Sequence, residues 1–340
     1  MNTKRPRNNH KKSPRRSHST RERVRTFLGL FGQKEDVLIL INPDPDSMAS
    51  ALAVRRLLWK YVHRTVITYI GEIQRLENLA MRELLRIPMV KIGKVVPEDF
   101  PHRILVDSQP HHSEIFERLT YDAIIDHHSL GKRSNARYID IRPEYGATST
   151  ILVEYLRAAG IKPSMKLATA LLYGIKTDTA NFERDVTEED VKQFRYVFRY
   201  ANLIRLRKIE KSELRLSDLK YFQAALGNRI VGRKGIYTHL GEVPSADICV
   251  LLADFFMRIY GVHWSFVSGV CGGKLTVIIR NDGYRKDAGR LAARAFGGFG
   301  SAGGHRGAAR AEIPLELLHQ KGIEVDDSLL KSFVRKRLSL

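Results

Sequence analysis

Cysteine is nearly absent: Cys249 and Cys271 are the only two in 340 residues, which argues against a disulfide framework or a zinc site. That usage fits a reducing compartment, so a cytoplasmic location is expected. Long hydrophobic runs are missing as well. The best candidate, ICVLLADFFMRIY, is broken by Asp254 and Arg258, so no membrane partner is expected. Acid is the third scarcity: 37 Asp and Glu stand against 57 Lys and Arg, a formal net charge of +20 that favours a polyanionic ligand. Part of the excess lies in residues 1–26, MNTKRPRNNHKKSPRRSHSTRERVRT, where Glu22 is the single acid. This stretch reads as a disordered basic tail that attracts longer nucleic acid by releasing counterions.

What is present is an ordinary apolar fraction, 43%, arranged in two textures. From residue 27 to 186, short apolar strands alternate with amphipathic helices. The strands are expected at Val37–Ile41, Val66–Tyr69, Arg103–Val106, Ala123–Ile125 and Tyr138–Ile141. The pattern implies an α/β domain, a mostly parallel sheet with helices on both faces. Helices Ala147–Ala159 and Ser164–Ile175 follow. TEED (Thr187–Asp190) resembles a capping box and opens a polar helical linker, 187–228. Residues 229–340 are richer in β pattern and read as a smaller α+β C-terminal domain.

Chemistry gathers at strand ends. VLILINPDPDS ends in Asp44 and Asp46 before a helix that Ser47 is placed to cap; on this stretch alone turn chemistry explains the aspartates equally well. RILVD ends in Asp107, YDAIIDHH in Asp126, His127 and His128, and LLYGIKTD in Asp178. Parallel strands bring their C-terminal ends to one edge, where α/β proteins place ligands. Mixed oxygen and nitrogen donors, more acids than histidines, suit Mn²⁺ or Mg²⁺.

The ordered set NPDPDSMAS, LVDSQP, IIDHH and GIKTDT resembles the DHH phosphoesterase superfamily. That superfamily includes RecJ-like exonucleases, oligoribonuclease/pAp phosphatases, cyclic-dinucleotide phosphodiesterases and family II pyrophosphatases. FGGFGSAGGHRGAAR is similar to the GGGHxxAAG motif of the DHH-associated C-terminal domain, with Ala302 and Arg310 in place of its first and last glycines. The resemblance implies that Asp107 bridges two metals, that Asp46, His127 and Asp178 complete one site, and that Asp44 belongs to the other. It implies that His128 faces the substrate phosphate and that Asp126 supports the histidines. It gives Arg280, Gly303, Gly304 and His305 to substrate binding.

The activity expected from the resemblance is Mn²⁺-dependent hydrolysis of short oligoribonucleotides or 3′-phosphoadenosine 5′-phosphate. The alternatives are a nucleic-acid- or nucleotide-binding protein with weakened catalysis, and a cyclic-dinucleotide phosphodiesterase. One departure stands out. The family pattern HxNPDxD carries a metal-ligating histidine where this chain has Leu40. The expectation is therefore one tight ion at Asp46, Asp107, His127 and Asp178 and a weak one near Asp44, with His111 and His112 as the loop histidines at the same edge.

Overall fold

The structure, a computed structural model, describes residues 19–73, 75–131, 134–183, 186–212, 214–232, 235–283 and 286–339. The chain divides into two units, residues 1–212 and 213–340.

The first unit runs α1 (Thr20–Leu28), β1 (Asp36–Ile41), α2 (Pro45–Leu58), β2 (Arg64–Tyr69), α3 (Leu76–Leu84), β3 (Met89–Lys91), β4 (His102–Val106), α4 (Glu114–Glu117), β5 (Ala123–Asp126), β6 (Tyr138–Ile141), α5 (Thr148–Ala158), α6 (Met165–Asp178), α7 (Glu188–Phe198) and α8 (Leu203–Glu210). All six strands pair in parallel, in the order β3-β2-β1-β4-β5-β6. The chain winds outward from β1 in one direction and from β4 in the other, so β1 and β4 flank a topological switch point, the usual ligand position in such sheets. Alternation along β1 splits its side chains between two cores. Val37, Ile39 and Ile41 pack with the buried faces of α2, α5 and α6, whereas Leu38 and Leu40 pack with Phe100, Leu105, Phe116 and Ile124. Helical cover is thus uneven, since the second face is closed mainly by the single turn of α4 and the segments around it.

Two boundaries differ from the sequence reading. The tail expected to be disordered through Thr26 gives way to helix at Thr20, with Ser19 as N-cap and Val24, Phe27 and Leu28 buried. Those three residues form an i, i+3, i+4 stripe that the surrounding arginines obscured. Residues 1–18 of the expected tail lie outside the described residues. The expected linker is largely part of the first unit, because Val197 of α7 and Leu206 and Ile209 of α8 are buried in its main core.

The second unit runs α9 (Leu219–Asn228), β7 (Ile230–Gly232), β8 (Gly235–Glu242), α10 (Ala246–Met257), β9 (Trp264–Cys271), β10 (Lys274–Asn281), α11 (Ala288–Phe296), β11 (Ser301–Gly304), β12 (Ala308–Pro314), α12 (Leu315–Gln320) and α13 (Asp327–Leu338). Its sheet, β11-β12-β10-β9-β8-β7, is antiparallel except for the β8–β9 pair. One face packs on α10 and the other on α11 and α13. No described helix in either unit is long and apolar enough to cross a membrane.

Candidate metal centre

The turn after β1 delivers two carboxylates with different tasks. Asp44, rather than Ser47, is the N-cap of α2: its Oδ1 accepts from Ser47 N at 2.8 Å, and Ser47 Oγ accepts from Asp44 N at 3.0 Å. Pro45 at the first helical position fits this placement of the cap. Asp46, two residues on and the second residue of α2, is fully buried and points at the start of α5. Its Oδ2 accepts from Thr148 N at 2.6 Å and its Oδ1 from Ser149 N at 2.8 Å. A helix N-terminus is a natural anchor for a carboxylate, and it fixes Asp46 without a cation.

Asp107 leaves β4 with φ of 58°, a left-handed conformation that costs an L-residue with a side chain about 1–3 kcal/mol unless its surroundings hold it. Thr148 Oγ1 donates to its Oδ1 at 2.7 Å, and its N–H donates to Ile125 O at 2.9 Å. His127 follows β5. Its Nδ1 lies 3.1 Å from Tyr145 O, an acceptor only, so Nδ1 carries a proton and, in the neutral ring, Nε2 presents the lone pair. That Nε2 is buried and makes no hydrogen bond, yet lies 3.0 Å from Asp178 Oδ2 and 3.6 Å from Asp107 Oδ1. Asp178 is the last residue of α6, where the chain then takes three successive left-handed residues, Ala180, Asn181 and Phe182.

Asp46, Asp107, His127 and Asp178 each place a ligand atom within 4.8 Å of the others. Packing four such groups together is electrostatically costly, and their protonation records it. Burial and then Asp178 push Asp46 up to about 7; burial and then Asp46, Asp44 and Asp178 push Asp107 well above the usual carboxylate range. Burial disfavours the charged form of His127, but Asp178 and Asp46 outweigh it and carry its pKa up to about 9. Three clustered acids and an imidazole whose Nε2 is aimed among them fit a divalent cation, which would take the place of the Nε2 proton.

The other expected residues fall as follows. Asp44 is outside that quartet among the described residues, although burial and then Asp178 raise its pKa. Asp126 is buried; its Oδ1 accepts from His127 N and His128 Nδ1, and its Oδ2 accepts from Gln109 Nε2 at 2.7 Å. Burial opposes its ionisation, but the His128 and Gln109 hydrogen bonds outweigh that and hold its pKa low. His128 is half-exposed, and its hydrogen bond to Asp126 raises its pKa. Leu40 is fully buried among apolar neighbours. Neither His111 nor His112 joins an ion-holding group among the described residues, and His112 Nδ1 accepts from Gln109 N at 3.2 Å.

In the second unit, Gly303 and Gly304 are part of β11 rather than a loop. Gly304 has φ of 147°, and a Cβ there would meet Ala308 O at 2.4 Å. Arg280 Nε donates to Asp254 Oδ1 at 2.8 Å, and His305 N donates to Ala308 O at 2.8 Å. The glycine thus has a packing reason of its own.

Sequence reasoning missed Thr148, Ser149 and Gln109. The small polar run GATST directly before an apolar helix was the available signal for the first two. Gln109 gave none, since its role arises from bridging Asp126, Ser129 O and Gly131 N across the sheet edge.

Residues 37–175 match the family described as DHH family, N-terminal domain. An uncharacterized protein of Methanocaldococcus jannaschii is 34% identical over 302 residues, covering 88% of this chain and 62% of its own length. A probable manganese-dependent inorganic pyrophosphatase of Deinococcus radiodurans is 30% identical over 172 residues, covering 48% of this chain and 50% of its own length. The chain therefore spans about half to three-fifths of these relatives. An exopolyphosphatase-related protein from Bacteroides fragilis shares the fold, with a TM-score of 0.65 at 15% identity over 93% of this chain and 97% of that one. Residues 37–175 thus match a DHH N-terminal domain, on whose six-stranded parallel sheet the acid–histidine cluster sits, and a separate C-terminal unit follows.

Proposed function

We propose that this protein is a Mn²⁺-dependent phosphoesterase that hydrolyses short oligoribonucleotides or 3′-phosphoadenosine 5′-phosphate. The observation that carries the reading is the buried His127 Nε2, without a hydrogen bond and surrounded by Asp46, Asp107 and Asp178. These four residues would hold the ion, Mn²⁺ or Mg²⁺. Asp44 would hold a second, weaker one. The bound cations would supply Lewis acidity, polarising the phosphoryl group and acidifying the attacking water.

The chain's own groups do the rest. Asp126 accepts from His128 Nδ1–H and raises its pKa, so the Nε2–H of the imidazolium is left to donate to the substrate phosphoryl oxygen or to the leaving oxygen. Gln109 holds Asp126 in place. Thr148 and Ser149 keep Asp46 and Asp107 oriented with or without the ion. Arg280, Gly303, Gly304 and His305 are the proposed nucleotide contacts of the second unit.

Asp107→Asn is the decisive variant. Asparagine tolerates the left-handed backbone as well as aspartate does and keeps an acceptor for Thr148, so only the charge is lost. We expect Mn²⁺ binding by calorimetry and hydrolysis of pAp and dinucleotides both to vanish while the fold is kept. Undiminished turnover in Asp107→Asn would overturn the metal assignment. Turnover of inorganic pyrophosphate with none of pAp or dinucleotides would overturn the substrate assignment.

A further inference from the structure

The second unit contains a cavity of about 760 Å³ bordered by the start of β9, α11 and the end of α13. That volume is in the range of small-molecule and nucleotide sites. Its wall is strongly cationic. Lys286, Arg290, Arg294, Arg306 and Arg337 line it, against the single acid Asp287. Asp287 is the N-cap of α11: its Oδ1 accepts from Arg290 N at 2.9 Å, and its Oδ2 lies 3.7 Å from Arg290 Nε. Arg337 is held by its Nε donating to Ala295 O and by stacking over Phe299. Among the described residues, Arg294 and Arg306 have no ion-pair partner.

The apolar part of the wall is aromatic. Trp264 and Phe266, two residues apart on one face of β9, stack with ring planes 3° apart and centroids 5.5 Å apart. Phe266 is buried beneath, and Trp264 is partly exposed. An indole backed by a buried ring, in a cavity also lined by guanidinium groups, matches a planar base joined to phosphate, because stacking serves any base and the cations serve its backbone.

This cavity is not the place of the proposed contacts at Arg280. Residues alternate along β10: Ile279 packs in the core of α11 and α13, and Ile278 in the core of α10. Arg280 follows Ile278's face and pairs with Asp254 of α10, whereas Phe266 packs on the opposite face.

We propose that this cavity is a nucleotide-binding site on the sheet face opposite Arg280. It takes the base of a nucleoside phosphate on Trp264 and its phosphate on Arg290, Arg294 and Arg306. The ligand is a free mononucleotide or one nucleotide of a single strand, and the experiment distinguishes the two.

The chain has two tryptophans, and Trp59 is an exposed residue of the first unit, so Trp59→Phe leaves Trp264 as the sole indole reporter. In the presence of EDTA, which silences ion-dependent hydrolysis, Trp264 emission is followed while AMP or a short single-stranded RNA is added. Saturable quenching by AMP identifies the free nucleotide as ligand; quenching by the RNA alone identifies the strand. Arg290→Glu with Arg294→Glu changes two side chains exposed on α11 and should weaken quenching about tenfold or more, with a shallower salt dependence. No quenching by either ligand overturns the proposal. Equal affinity in the charge-reversed variant also overturns it.

Discussion

Asp46 and Asp107 are set against their own charge. With no ion bound, the folded protein holds protons on these carboxylates that the unfolded chain has released. For Asp46 that interval runs from the ordinary carboxylate value near 3.8 to about 7. An acid whose folded pKa is raised makes the folded state the better proton binder, so ion-free stability should fall as pH rises through this window. Added Mn²⁺ competes with the same protons and should therefore raise the melting temperature more at pH 8 than at pH 6. A thermal-shift series over pH, with and without Mn²⁺, checks both signs; an ion-induced shift larger at the lower pH would refute the ligand assignment. Leu40 supplies a second test. It is fully buried, so Leu40→His should cost stability by burying an imidazole. The same change restores the donor of the family pattern and should tighten Mn²⁺ binding in calorimetry. Unchanged affinity would show that the weak site owes nothing to position 40.

The elements around the cluster are spaced by one glycine. A Cβ on Gly174 of α6 would lie 2.5 Å from Ser149 Oγ and 3.0 Å from Asp46 Oδ1, so α6 can approach α2 and α5 only without a side chain there. Gly174→Ala should cost about 1–3 kcal/mol through overpacking and weaken ion binding by displacing Asp46 or Asp178. Gly227→Ala in α9, where a Cβ meets nothing within 4 Å, should be neutral or slightly stabilising. Melting temperatures of the two variants decide the matter. At this scale the sequence was readable where one rule governs. Apolar runs ending in Asp107 and in Asp126-His127-His128 announced both the strands and the edge at which they meet. It was less readable where two rules compete. Ser47 looked like the cap, but Asp44 holds that position because Pro45 opens the helix. α1 hid its three buried residues among arginines, and α7 and α8 looked too polar to belong to a core. The hairpin of β11 and β12 was masked by glycines that normally signal loops.

At the scale of the molecule, the placement of α1 changes what the basic N-terminus can be asked to show. Removing residues 2–26 would cut away most of a helix that buries Val24 in the main core and pairs Arg23 with Asp140, so stability and RNA attraction would be lost together. Removing residues 2–18 keeps the Ser19 cap. That shorter deletion should weaken binding of long RNA and flatten its salt dependence, with melting temperature and dinucleotide turnover unchanged. Loss of dinucleotide turnover would tie the segment to catalysis instead. The four proposed ligands raise a further point, since Asp46, Asp107, His127 and Asp178 come from four segments spread along the first unit. No local fragment brings them together, so an unfolded chain offers the ion only scattered single donors. Occupancy is then thermodynamically coupled to completion of the whole first unit, and at a hundredfold excess over Kd the ion would add about 2.7 kcal/mol to its stability. The centre would thus act as an assembly checkpoint: the cation would be retained only by chains that have closed the switch point between β1 and β4, and a partly folded chain would release it.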